Sequence, residues 1–332
     1  MTLMKNLRII LWLAFLVSGL FSCTDDEDLW GTAKNEHRIT QTRMYYEGVE
    51  ECREYYTYSK DRLVLKTHDH ETSPGSGVWA PVYREMIAYT SHGAVRSYSE
   101  LEDGVWVEYG RHEYVMDKGR VMEEMISYRD DGDWEPDVHY VYEYSGNDLL
   151  SRLTYRFNDD GDEEQYRLDV LNYLNGRLDN LRLYRVLEDG DDLQLREGLN
   201  FFYNPLGFLA GYTVAMYEDG AWYNEGKAEY DYLGDKIRLA NYFDWVPELM
   251  AWEVVPEQQT MTYTVHGDLA SRADEEYAEE YIYEDGNGNA RFFETFMEEL
   301  VVGMPTIKSA ATGSKEGVGA SYLDVYLSSR LR

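Results

Sequence analysis

Segments of about ten residues rich in tyrosine, valine, leucine and threonine alternate along this chain with short clusters of glycine, aspartate and asparagine. One such cluster is a pair of acidic residues followed by glycine. It recurs at Gly104, Gly132, Gly161, Gly190 and Gly220. These glycines are 28, 29, 29 and 30 residues apart, which indicates a repeat of near 29 residues.

A second turn lies between consecutive copies of the first, preceded by tyrosine and followed by an aliphatic residue. The aliphatic residues of the clearest copies are Leu63, Leu149, Leu178 and Ile237. The tyrosines form a series: Tyr58, Tyr89, Tyr114, Tyr144, Tyr173, Tyr203, Tyr232 and Tyr263, with a ninth, shortened copy at Tyr283. We interpret them as structural, because each stands at the same place in a repeat.

Two turns in each repeat leave two strand-length segments, the pattern of hairpins joined in series. Asp-Gly pairs supply the positive φ that tight hairpin turns need. No window between these frequent breakers keeps apolar residues at helical spacing. The sequence therefore predicts an all-β, antiparallel meander of about 16 to 18 strands, either a curled sheet or a large soluble barrel.

Simple alternation along residues 177–186 gives two mixed faces. Leu178, Arg182 and Tyr184 share one face, whereas Leu181 and Leu183 share the other. Neither face suits contact with lipid, since a membrane barrel needs one continuous apolar side. This pattern favours a barrel that does not itself span a bilayer.

Residues 1–22 have the three parts of a secretory signal. Two basic residues precede an apolar run of thirteen, residues 9–21, followed by a small residue. A spanning helix needs roughly 20 apolar residues, so the run is too short for a permanent anchor. The segment Leu-Phe-Ser-Cys that ends at Cys23 resembles the lipobox of bacterial lipoproteins. That resemblance implies cleavage before Cys23 and attachment of lipid to it.

The next segment, 23–36, is predicted to be an acidic tether. Residues 24–28 read TDDED and resemble the export signal of Bacteroidetes lipoproteins that reach the outer face of the outer membrane. This likeness implies an outer-membrane, lipid-anchored protein at the cell surface, with the periplasmic face as the alternative. The remaining chain divides into a hairpin-repeat domain, 37–302, and a flexible segment with a possible last strand, 303–332.

Composition narrows the range of partners. The net charge of −32 disfavours nucleic acid, whose binding depends on Lys and Arg that neutralise phosphates. Of two cysteines, Cys52 is left alone if Cys23 is acylated, so no internal disulfide is expected.

The Tyr-x-Tyr turn resembles the YD-type repeats of bacterial surface proteins. The turn glycine followed two residues later by tryptophan is similar to repeats in uncharacterised Bacteroidetes lipoproteins, some from a family described as porin-like in fold. Both likenesses rest on short motifs within residues 55–300. They imply an envelope protein and no particular activity.

Four tryptophans at repeated positions are the candidate ligand-binding residues. They are Trp79, Trp106, Trp134 and Trp222. On an exposed face they would suit sugar rings or peptides; as cross-strand residues they would only hold strands together. The sequence alone leaves both readings open.

Metal and catalytic chemistry have weaker signals. His68 and His70 form an H-x-H pair with no third ligand assignable from spacing, and loop 158–164 lacks the spacing of a calcium loop. We therefore expect no metal and no cofactor. No catalytic motif is present, although close carboxylate pairs arise by chance among 63 acidic residues. The favoured function is a surface lipoprotein that binds a glycan or a protein. The alternatives are a glycan-processing enzyme and a structural envelope protein.

Overall fold

The computed structural model describes residues 37–285, apart from 60–61, 74, 118–119, 131, 147, 159, 187–191, 235, 256–257 and 266–268. The predicted signal peptide, Cys23, the predicted tether and segment 303–332 lie outside the described residues, so the proposed domain boundaries stay a prediction.

All regular elements in the described residues are β-strands. The first ten are β1 (His37–Tyr46), β2 (Val49–Ser59), β3 (Arg62–Glu71), β4 (Trp79–Tyr89), β5 (Gly93–Glu102), β6 (Val105–Asp117), β7 (Arg120–Asp130), β8 (Asp133–Ser145), β9 (Asp148–Phe157) and β10 (Glu163–Leu174). The remaining nine are β11 (Arg177–Val186), β12 (Leu193–Tyr203), β13 (Leu209–Glu218), β14 (Ala221–Leu233), β15 (Lys236–Val246), β16 (Ala251–Val254), β17 (Gln259–Tyr263), β18 (Leu269–Ala273) and β19 (Tyr277–Asp285).

Each strand pairs antiparallel with its neighbours in the chain, and the sheet closes on itself. β1 pairs with both β2 and β19. The short β16 and β17 both pair with β15, at different points along it, and share one place in the wall. The result is an 18-strand barrel. The predicted all-β meander is confirmed, and of the two expected architectures the barrel is the one observed.

The hairpin turns have the backbone conformation that their residues favour. At the turn between β5 and β6, Asp103 and Gly104 have φ values of +48° and +80°. Positive φ at both central residues is the type I′ geometry, which matches the twist of paired strands. The geometry of the turns therefore accounts for the recurrence of Asp-Gly and Asn-Gly, without any role in ligand binding.

A β-bulge follows the second turn of the repeat. Tyr58 pairs with Leu63 while Thr57 pairs with Leu65, so one extra residue is inserted after Leu63. The same shift occurs after Val121, Leu149, Leu178, Leu209, Ile237 and Leu269. Bulges bend strands and increase their twist, which a closed wall needs.

This bulge corrects the face assignment for residues 177–186. Strict alternation separates Leu178 from Leu181 and Leu183, and that prediction was wrong. The extra residue after Leu178 shifts the phase of the strand, so all three leucines lie on one face and are almost fully buried. The opposite face carries Asn180, Arg182 and Tyr184. We assign the buried face of each strand to the barrel interior.

The tyrosine series lines the interior at this bulged end. Six of its hydroxyls donate to the carbonyl of the aliphatic residue one repeat earlier. These bonds run from Tyr58 to Ile39, Tyr89 to Leu63, Tyr203 to Leu178, Tyr232 to Leu209, Tyr263 to Ile237 and Tyr283 to Leu269, at 2.7–2.8 Å. The tyrosines therefore join successive repeats through their side chains, in addition to the backbone ladder.

A basic residue stacks on several of these rings. It immediately precedes the aliphatic residue that accepts the hydroxyl, as Arg62 precedes Leu63 and Arg177 precedes Leu178. Arg62 lies 5.4 Å from the centroid of Tyr89, and Arg177 lies 5.3 Å from that of Tyr203. One basic–aliphatic dipeptide thus supplies two contacts to the next repeat, a cation–π contact and a carbonyl acceptor.

The interior has a charged half. Most of the charged side chains that are buried or nearly so lie on β2 to β10. Four are acidic and four are basic: Glu54, Glu85, Glu124 and Asp169, with Lys66, Arg96, Arg152 and Arg167. Lys66 lies 2.8 Å from Glu54, and Arg96 contacts Glu85. Asp169 accepts from both Arg152 and Arg167. These buried charges balance, although the chain as a whole is strongly acidic.

The other half of the interior is hydrophobic. Every buried side chain in the described part of β11 to β15 is aliphatic or aromatic, and the most deeply buried are Leu178, Leu181, Leu183, Leu199 and Val214. Burial of such side chains contributes about 1.5–3 kcal/mol each to folding. The two halves of the wall therefore differ: β2 to β10 combine buried apolar side chains with ion pairs, whereas the described part of β11 to β15 buries apolar side chains alone.

We expect Tyr203→Phe to lower the free energy of unfolding by about 1 kcal/mol, because it removes the hydrogen bond to Leu178 but keeps the ring. Tyr144→Phe is the matched control. The buried hydroxyl of Tyr144 has no hydrogen-bond partner among the described residues, so its removal should be neutral or stabilising. Chemical denaturation of both variants checks this. Equal losses of unfolding free energy in the two variants would contradict a stabilising role for the hydrogen bonds of the tyrosine hydroxyls.

A second prediction concerns Asp169. Burial alone would raise the pKa of this carboxyl, but Arg167 and Arg152 outweigh burial and lower it below the ordinary value of 3.8. A lowered folded-state pKa contributes stability above pH 3.8 that is lost as the pH falls through the folded-state pKa. Asp169→Asn should cost about 3–5 kcal/mol at pH 7, since it leaves two buried arginines without their acid.

Thermal unfolding from pH 7 to pH 2 measures this cost. The difference in unfolding free energy between wild type and Asp169→Asn should stay constant down to about pH 4 and narrow below it. Asp179→Asn, at an exposed position of β11, is the control. A difference that does not depend on pH would show that the ion pairs are not its source.

Candidate functional site

All four tryptophans singled out by the repeat lie on the outer face of the wall. Trp79, Trp106 and Trp134 begin β4, β6 and β8 and are half-buried, whereas Trp222 on β14 is 42% exposed. The first three occupy successive even-numbered strands. Neighbouring members are therefore two strand spacings apart, roughly 10 Å.

An arginine covers each of these rings. Arg53 lies 4.1 Å from the centroid of Trp79, and Arg84 lies 4.5 Å from that of Trp106. The remaining pairs are Arg111 with Trp134 at 4.5 Å and Arg182 with Trp222 at 5.0 Å. We call these four pairs the Arg–Trp belt. The sequence located the tryptophans but not their partners, because each arginine lies in the preceding hairpin or further back in the chain.

Small residues make room for the stacks. Ser99 is the register partner of Arg84, and Ser127 is that of Arg111; both serines are buried on the outer face. At Gly198 the space is tightest. A Cβ there would lie 2.7 Å from the ring of Trp222 and 2.7 Å from the guanidinium of Arg182. The belt therefore lies against the wall, and its arginines are held between the sheet and an indole.

Two arginines of the belt retain unused hydrogen-bonding capacity. The Nε atoms of Arg84 and Arg111 are buried, and neither has a hydrogen-bond partner within the described part of the chain. Arg111 has only a long ion pair, 3.6 Å, with Glu113. Because each Nε is covered, only the terminal N–H groups in the plane of the guanidinium could donate to a ligand at its edge.

The fold also places a third possible metal ligand beside the pair His68 and His70, for which the sequence had assigned none. The pairing of β2 with β3 places Cys52 opposite His70, with His68 on the same face. One ligand-type atom from each of these three residues lies within 4.8 Å of the other two. Cys52 is buried and His70 is exposed. Burial raises the pKa of the Cys52 thiol to about 12. The expectation of no metal rested on spacing along the chain, and it stays a prediction.

The acidic loop 158–164 is organised as a turn. The side-chain oxygen of Asn158 accepts from the backbone N–H groups of Asp160 and Asp162, at 3.1 and 2.9 Å. Its side-chain nitrogen donates to Glu164. The first residue of the loop thus caps it, as asparagine commonly does in turns.

Within the described residues, no α-helix has the length and hydrophobicity of a membrane span. No protein-family model matches the chain, and no curated protein matches it either.

Among the solved structures that match the chain are three from Bacteroides species. A porin-like protein from Bacteroides uniformis is 13% identical, with a TM-score of 0.41, over 78% of this chain and 100% of its own. A protein of unknown function from Bacteroides fragilis is 16% identical, with a TM-score of 0.33, over 36% of this chain and 91% of its own. A DUF3836 family protein from Bacteroides vulgatus is 14% identical, with a TM-score of 0.25, over 27% of this chain and 91% of its own. Likeness this low indicates nothing about function.

Proposed function

We propose that this protein is a lipid-anchored outer-membrane protein that binds an extended glycan through the Arg–Trp belt. The observation that carries the proposal is the pair formed by Arg84 on Trp106 and Arg111 on Trp134. There, indole rings and guanidinium groups lie side by side on the outer face. Sugars offer the two complementary features, apolar C–H faces and many hydroxyl acceptors.

The spacing of the belt supports a ligand that crosses the strands. Trp79, Trp106 and Trp134 would each meet such a chain at intervals of roughly 10 Å, two strand spacings. A linear glycan can make the same contact at each interval, whereas a compact ligand would use one pair. The net charge of −32 favours neutral over polyanionic glycans.

A structural role in the envelope is the second candidate. Its specific support is the arginine on each ring, which already covers one face of the indole and ties neighbouring hairpins together. In that case the belt would stabilise the wall and bind nothing. The two functions differ in what happens when a tryptophan is removed: loss of affinity in one, loss of stability alone in the other.

Glycan arrays and isothermal titration of the intact protein in detergent test binding. Trp106→Ala and Arg84→Ala should each weaken glycan binding by roughly 30-fold, equivalent to about 2 kcal/mol for a central contact. Trp245→Ala, outside the belt, is the matched control and should leave affinity unchanged. The glycan proposal fails if no glycan binds, if only a protein ligand is captured, or if the belt variants bind as tightly as wild type.

The anchor is tested separately. Cells that express the protein should incorporate radiolabelled palmitate into it, and Cys23→Ser should abolish that labelling because the acylated thiol is gone. Protease treatment of intact cells should degrade the wild-type protein if it faces outward. Labelling that survives Cys23→Ser would overturn the lipid anchor, and full protection from protease would place the barrel on the periplasmic face.

A further inference from the structure

Three side chains of metal-binding types converge on the inner face of the wall, opposite the face that carries the Arg–Trp belt. They are the thiol of Cys52 and the imidazoles of His68 and His70, with one ligand-type atom from each within 4.8 Å of the other two. The histidines are two residues apart on β3, which brings both to one face, and their rings stack with centroids 5.5 Å apart. Cys52 is added by the β2–β3 register.

We propose that Cys52, His68 and His70 form a binding site for a borderline or soft transition-metal ion such as Zn²⁺. Thiolate and imidazole are the ligands that these ions prefer, whereas Ca²⁺ and Mg²⁺ prefer oxygen. Bond lengths of about 2.3 Å to sulfur and 2.0–2.1 Å to nitrogen place tetrahedral ligand atoms about 3.3–3.6 Å apart. Small side-chain rotations would bring atoms now within 4.8 Å to that separation.

A buried carboxylate already orients one of the ligands. Nδ1 of His68 lies 3.1 Å from Oε1 of Glu54. If Nδ1 carries the proton in this bond, the lone pair of Nε2 is free to bind a metal. Histidine ligands commonly have such a carboxylate partner, which fixes the tautomer and strengthens the ligand. Glu54 is itself held by Lys66 at 2.8 Å and by the hydroxyl of Tyr56 at 2.6 Å.

The position of the cluster leaves the fourth coordination place open. Cys52 is buried, His68 is half-buried and His70 is exposed, so the group runs from the wall toward solvent near the end of β3. Three protein ligands and one open place are the arrangement of reactive rather than purely structural zinc sites. The metal would therefore remain accessible to water or to a small anionic ligand.

Titration of the untagged, chelator-treated protein with Zn²⁺ tests this proposal. We expect one ion per chain, and at least a 100-fold loss of affinity in Cys52→Ser and in His70→Ala. His92→Ala removes a histidine outside the cluster and should change nothing. Glu54→Gln, at the positioning residue, should weaken binding by about 10- to 100-fold without abolishing it. Circular dichroism of the metal-free variants checks that each one folds.

Co²⁺ gives a readout of the ligands themselves. A thiolate-to-cobalt charge-transfer band should appear in the wild type and in His92→Ala and be absent from Cys52→Ser. Binding that persists undiminished in Cys52→Ser and His70→Ala would assign the ion to surface carboxylates and overturn the site, as would the absence of Zn²⁺ binding by the folded wild type. Neither result bears on glycan binding, because the Arg–Trp belt lies on the other side of the wall.

Discussion

The antiparallel ladder between β1 and β19 joins the two ends of the meander and makes the wall continuous. Without that ladder, both terminal strands would expose unpaired backbone groups. Closure also gives every strand an inside and an outside. The interior tyrosines, the balanced charges and the Cys52–His68–His70 group then lie on one side of the sheet, and the Arg–Trp belt lies on the other. Each local feature owes its environment to this one set of backbone hydrogen bonds.

Two kinds of side-chain contact keep the repeats in register. Inside, a tyrosine hydroxyl reaches the carbonyl at the bulge of the preceding repeat, as from Tyr203 to Leu178. Outside, an arginine stacks under the tryptophan of the following hairpin, as Arg84 does under Trp106. Both contacts join one repeat to the next. The repeat is therefore a unit that is completed by its neighbour, as is usual when one supersecondary unit cannot bury its hydrophobic surface alone.

Sequence patterns anticipated some of these features and missed others for identifiable reasons. A period near 29 residues predicts the tyrosine positions and the Asp-Gly turns. It also marks Trp106 as a residue that either lies on an exposed face or makes cross-strand contacts. The faces of residues 177–186 were misassigned because strict alternation was assumed, whereas the bulge after Leu178 inserts one residue and changes the spacing of the inward leucines from two to three at that point. Arg84 and Arg111 were missed because nothing in their local sequence distinguishes them from other basic residues.

By itself, the sequence determined the class of fold, the length of the repeat, the turn chemistry and the acidic character of the chain, since all of these are local or compositional. Only the tertiary structure decided what each side chain meets. Cys52 lies opposite His70 although 17 other residues separate them along the chain, because strand register sets that contact. Likewise, three buried acids meet four bases within a chain of net charge −32, because closure selects which charges face inward. Contacts between strands depend on register and bulges, and neither is encoded at any single position.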